Sequence, residues 1–151
     1  MSQKEKKLME ELKLLRKKKK ELIEEQRRKR LYNDTLLKYV FPLQSLIREF
    51  NLSTFLPLEK DLKAFVMLTF LYKCNRGKAV KSPKTCFYRL AREVLELKND
   101  PVLGDKIPSD LLNLLRESLK KDEEFFKECY NELKNVKTTR DKLLYILSII
   151  S

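Results

Sequence analysis

The sequence has no histidine. Without imidazole there is no Ser-His or Cys-His nucleophile pair, no His-containing zinc site, and no use of the commonest general base. Three cysteines, Cys74, Cys86 and Cys129, are too few for a four-thiolate metal centre and odd in number for a disulfide framework. Cys74 and Cys86 stand twelve residues apart, which is not a ligand-pair spacing. All three read as free thiols, buried or partly buried, in a reducing compartment. No apolar core of a secretory signal opens the chain. The longest apolar run, residues 64–72, is nine residues even with Thr69 included, where a membrane span needs about twenty. A cytoplasmic protein with no membrane contact, no metal and no cofactor is the expectation. Tryptophan is absent and there are only two glycines, while Leu, Lys and Glu dominate, so helix is favoured throughout.

Acidic residues are missing from one stretch in particular. Residues 62–92 hold eight basic side chains and no Asp or Glu, although 22 acidic residues are spread over the rest of the chain. Their density elsewhere would put about five or six in such a window, because solvated faces normally mix both signs. The net charge of +12 is concentrated accordingly: residues 1–31 carry +7 and residues 62–92 carry +8, on an otherwise near-neutral chain. Two electrostatic contact regions on a neutral body are what this pattern predicts.

Residues 1–31 form a basic helical or partly disordered arm, and residues 32–151 a helical domain. In the arm Leu8, Leu15 and Leu22 recur every seven residues with Leu12 between the first two, a coiled-coil seam interrupted where Lys19 and Gln26 continue Leu12's row. Three uses fit such an arm: a solvated tail, a nucleic-acid contact through its Lys and Arg runs, or a helix that docks a partner. Asn33 or Asp34 could cap the next helix, and Pro42 should kink or restart it. In the connection that follows, Phe55 and Leu56 read as plugs of the core. Residues 64–72 are apolar on every side, as only a helix surrounded by neighbours can be. The predicted fold is therefore all-α: six or seven helices around a buried central helix at about 58–74, preceded by the charged N-terminal helix. Ser82-Pro83 predicts an N-cap followed by proline at the first helical position. Phe87, Leu90, Ala91, Val94 and Leu97 would face inward from that helix, with Lys81, Thr85, Arg89, Arg92 and Glu96 outward. Ser109, Asp122 and Thr138 are the expected caps of three further helices.

Within the basic stretch the meaningful cluster is residues 73–92, seven basic groups around one turn and one helix start. A helix amino terminus offers unpaired N–H groups and the positive end of its dipole, and a nearby glycine lets backbone approach an anion closely. Lys73, Arg76, Gly77, Lys78, Lys81, Ser82, Lys84, Thr85, Arg89 and Arg92 are accordingly the candidate phosphate-binding residues. A solvated basic loop and a surface for an acidic protein are the competing readings. Tyr72 and Tyr88 flank the cluster, placed either to stack on a base or to pack in the core. The GxxxxGK[ST] pattern is missing, which excludes nucleotide hydrolysis by a Walker loop. Asp100 and Asp105 bracket a loop as a two-carboxylate metal site might, yet loop solvation accounts for them. No catalytic residue is assigned.

Asn75-Arg76-Gly77 followed by Cys86-Phe87-Tyr88-Arg89-Leu90-Ala91-Arg92 resembles a helical module that accompanies archaeal and plasmid primases. The overall plan, a Lys-rich arm before an all-helical body, is similar to the PriX-type accessory subunit of archaeal primase. The resemblance implies a noncatalytic subunit that helps bind single-stranded or primer-template nucleic acid, or nucleotide phosphates, beside other subunits of a primase-like complex. It also implies that Arg76, Lys78, Arg89 and Arg92 face phosphate. Four cysteines hold the iron–sulfur cluster of the related large-subunit domain, and this chain has three. A rival expectation is a protein-interaction adaptor, with the arm as a coiled coil and the basic patch against an acidic partner.

Overall fold

A computed structural model of the protein describes residues 2–74 and 82–151. Among them the regular elements are helical: α1 (Gln3–Thr35), a π turn (Leu36–Val40), α2 (Phe41–Glu49), α3 (Glu59–Lys73), α4 (Pro83–Lys98), a 3-10 turn (Gly104–Lys106), α5 (Ser109–Leu119), α6 (Glu123–Lys134) and α7 (Thr139–Ile150). The chain divides into two compact units, Met1–Asp34 and Thr35–Ser151. The all-α bundle expected from composition and periodicity is what forms.

The second unit is built around α3, which packs against α2, α4, α5, α6 and α7. Its sequence dictates that position. Ala64, Phe65, Val66, Met67, Leu68, Thr69 and Phe70 are all essentially inaccessible, so no face of the middle of the helix is left for water. The single hydroxyl in that run is satisfied locally: Thr69 Oγ1 donates to the Phe65 carbonyl at 2.9 Å. Aromatic rings extend the core outward from α3. Phe65 meets Phe87 of α4 edge-on at 6.2 Å, Phe87 lies 5.1 Å from Phe126 of α6, and Phe70 meets Tyr130 at 5.8 Å. Such pairs add about 0.5–1.5 kcal/mol each beyond the area they bury.

Helix boundaries follow the capping residues closely, with two differences. Asn33 and Asp34 do not cap a new helix; α1 runs through them to Thr35. Pro42 restarts the helix as a first-turn residue, as expected, and a π turn that its presence did not announce precedes it. The Phe41 amide donates to the Leu36 carbonyl, and Pro42, which has no N–H to offer, falls in the first turn of α2. Ser109 is the first residue of α5, not its cap, which is Pro108. Asp122 and Thr138 do cap α6 and α7, accepting from the Phe125 amide at 3.0 Å and the Asp141 amide at 3.1 Å. α2 ends in a Schellman arrangement: Leu52 N–H reaches the Ile47 carbonyl and Asn51 N–H the Arg48 carbonyl, both at 3.1 Å. Asn51 takes the left-handed conformation this requires, φ 50°, and Leu52 is buried.

The connection from α2 to α3 overturns one expectation. Phe55 and Leu56 are not core plugs: they are 87% and 78% exposed. The loop that carries them is held from both sides. The buried carboxylate of Asp61 accepts from Ser53 N at 3.3 Å and Leu58 N at 3.0 Å. From α5, the Asn113 carboxamide donates to the Thr54 and Phe55 carbonyls. Satisfying these backbone groups settles the loop's path, and that path points both apolar side chains outward.

Candidate nucleic-acid interface

α4 begins where the sequence placed it. Ser82 is the N-cap, its Oγ accepts from the Thr85 amide at 3.4 Å, and Pro83 opens the helix. The Thr85 hydroxyl also donates to Ser82 Oγ, at 2.9 Å. The Thr85 proton is therefore spent on closing the first turn, whereas Ser82 Oγ accepts both bonds and keeps its own proton to donate. The remaining first-turn amides and the helix dipole still favour an anion here.

The start of α4 is tied to the end of α3 by a bond that spacing did not suggest. Cys74 and Cys86 form a disulfide, with their Cα atoms 6.3 Å apart. The expectation of three free thiols is corrected for these two. Cys74 caps α3 and Cys86 lies in the first turns of α4, so a helix end and a helix start that pack side by side bring the sulfurs together. Cys129 is the free thiol, buried in α6, where burial pushes its pKa up to about 12.

Of the ten predicted contact residues, Arg76, Gly77, Lys78 and Lys81 lie outside the described residues. The other six take three different roles. Lys73 turns inward, pairing with Glu93 of α4 at 2.8 Å and lying 5.1 Å from the centre of the Tyr39 ring. Lys84 does the same, donating to the Lys121 carbonyl beyond the end of α5 at 3.0 Å and covering the Phe126 ring. These two lysines fasten α4 to its neighbours. Ser82 closes the first turn, and Thr85, Arg89 and Arg92 line the exposed side of the helix. Arg92 bonds Glu96 one turn on at 2.9 Å, an exposed pair of the kind that contributes little and exchanges readily for another anion. Arg89 has no ion-pair or hydrogen-bond partner among the described residues, and it is exposed. Tyr88 beside it is 52% exposed and Tyr72 on α3 is 38% exposed. Neither ring is the core residue that simple packing would have made it. The surface that results is one unpaired guanidinium, one loosely paired one and an accessible aromatic, mounted on a helix whose inner face is completely buried.

A second polar cluster joins α3, α6 and α7. Lys63 Nζ lies 2.7 Å from Glu132 Oε2 and 2.8 Å from Oε1, and the Tyr145 hydroxyl donates to Glu132 Oε2 at 3.1 Å. Burial alone would lower the Lys63 pKa, but the bond to Glu132 outweighs it and the pKa is raised. Burial, then the same carboxylate, also raises the Tyr145 pKa. Every group in this cluster is spent on another, so it clasps three helices and leaves nothing poised for chemistry. The Asp100 carboxylate is likewise committed, accepting from Val102 N and Leu103 N at 2.9 and 2.8 Å. Among the described residues no three Cys, Asp or Glu side chains gather as a metal site would need. No described helix is long and apolar enough to cross a membrane.

Phe55, Leu56, the Asn113 clamp and the disulfide were all missed by sequence reasoning. Only the disulfide had a usable signal: one cysteine at each side of a helix–loop–helix turn. Comparison with family models, with curated proteins and with solved structures finds no match to this chain.

Proposed function

We propose that the protein is a noncatalytic nucleic-acid-binding subunit that contacts phosphates through the amino end and exposed face of α4. In this reading it serves beside a separate catalytic subunit of a primase-like replication complex, and its ligand is single-stranded or primer-template nucleic acid or the phosphates of a nucleotide. The observation that carries the proposal is charge segregation on a fixed support. The only long stretch free of acidic residues runs into a helix that offers Arg89, Arg92 and a half-exposed Tyr88 outward. The primase setting rests on the sequence resemblance around residues 75–92. Contacts of this type position a backbone without reading its sequence.

A salt titration of oligonucleotide binding tests the reading. Five duplex phosphate contacts correspond to a slope of roughly −4.5 in log K against log salt, and single strands give a shallower one, about −0.7 per contact. The triple variant Arg76→Ala/Lys78→Ala/Arg89→Ala should flatten the duplex slope by roughly 2.7. Binding equal to wild type at every salt concentration would remove this surface from consideration. The rival reading, an adaptor that meets protein, draws support from the apolar residues left exposed on α1.

A further inference from the structure

α1 is one uninterrupted helix of 33 residues, and every described residue of it up to Leu31 is exposed. The four leucines of its seven-residue seam, Leu8, Leu12, Leu15 and Leu22, are 52–62% exposed. A helix this polar gains nothing from solvating that stripe, and a continuous helical backbone keeps the leucines aligned on one side for their whole length. From these observations we propose that α1 pairs with α1 of a second copy of this chain as a parallel, in-register two-stranded coiled coil. The inference goes beyond nucleic-acid binding by α4 and does not depend on it.

The partner and the orientation follow from the residues beside the seam. With Leu8, Leu15 and Leu22 at the d positions and Leu12 at a, the e flank is Met9, Arg16, Ile23 and Arg30. The opposite, g, flank is Lys4, Glu11, Lys18 and Glu25. In a parallel pair each g residue faces the e residue five positions later on the other strand. Glu11 then faces Arg16 of the second copy, and Glu25 faces its Arg30. The two lysines fall opposite Met9 and Ile23, where their stems cover apolar surface and their ammonium groups reach water. No like-charge pair arises on either flank. An antiparallel pair would set e against e, and the e flank has no acidic residue to offer Arg16 or Arg30. Lys19 and Gln26 interrupt the a row, and a polar residue at an a position selects register and strand number while weakening the pair. The dimer is therefore a weak and specific one, opposed by the +7 charge of each arm.

Sedimentation of the full chain across micromolar concentrations should show a monomer–dimer equilibrium, and Leu12→Ala/Leu15→Ala should abolish it while leaving the folded second unit's unfolding curve unchanged. Glu11→Arg should weaken association roughly tenfold, since two attractive pairs become repulsive. Glu11→Arg/Arg16→Glu should restore it. Leu15→Cys should crosslink into a covalent dimer under mild oxidation, a reaction the wild type, with Cys129 buried, does not give. A monomer at every concentration overturns the proposal. A dimer that the double swap fails to restore, or that Leu15→Cys fails to crosslink, overturns the parallel pairing.

Discussion

Arg89 and Lys84 are both basic residues of the same helix, and the molecule uses them differently. Lys84 is consumed by the Lys121 carbonyl, whereas Arg89 is left to solvent. Residue type alone cannot separate them, because the difference lies in which acceptor happens to sit within reach of each side chain. The cysteines make the same point. Cys74 and Cys86 are paired and Cys129 is a buried thiol held protonated, with its pKa pushed up to about 12. A thiol reagent should therefore find no reactive cysteine in the native protein, one after denaturation without reductant, and all three after reduction. Three thiols in the denatured but unreduced protein would contradict the pairing. Phe55 is the residue for which local reasoning misled most. An aromatic in a short connection between helices usually enters the core, but here Asp61 and Asn113 hold the backbone of residues 53–58 and leave the ring outside.

At the scale of the element, α4 was the most legible part of the chain. Ser82, Pro83 and the spacing of Phe87, Leu90, Ala91, Val94 and Leu97 determine where it starts and which face it buries. The same Ser82 separates structure from function experimentally. Ser82→Ala should cost about 1 kcal/mol of stability in a denaturant titration, the usual value of a lost N-cap. Ser82→Asp keeps the capping oxygen and should unfold like wild type, yet it places a negative charge where the anion would sit. If α4 receives phosphate, oligonucleotide affinity falls in the Asp variant without loss of stability; unchanged affinity would locate the binding surface elsewhere. α3 was legible for a different reason, since a helix apolar on all sides has nowhere to be except the centre. The π turn before α2 was not. Pro42 announces an interruption, but whether the chain breaks, kinks or widens by one residue depends on how Leu36 and Val40 are packed.

For the molecule as a whole, the clasp of Lys63, Glu132 and Tyr145 across α3, α6 and α7, together with the buried Cys129, makes stability fall at alkaline pH. Lys63 and Tyr145 have folded pKa values raised above their ordinary 10.5 and 10.0, and Cys129 is raised from 9.0 to about 12. The folded state thus holds its protons more tightly than the unfolded one. The contribution is complete below about pH 9 and declines as pH rises toward the folded values, most of all between pH 9, where the unfolded Cys129 thiol loses its proton, and about 12, where the folded one does. Urea midpoints should be level from pH 7 to 9 and fall beyond, and Cys129→Ala should flatten the decline; a midpoint that rises above pH 9 would contradict the sign. The order of residues alone specifies the all-α class, the burial of α3, the caps of α4, α6 and α7, and the concentration of positive charge in two stretches. Each depends on interactions within a turn or two of helix, or on composition, and these are visible along the chain. It takes the packed helices to bring Cys74 to Cys86, to spend Lys73 and Lys84 on packing while leaving Arg89 to solvent, and to turn Phe55 toward water. Those outcomes depend on distances between side chains far apart in sequence, and such distances exist only once the helices have packed.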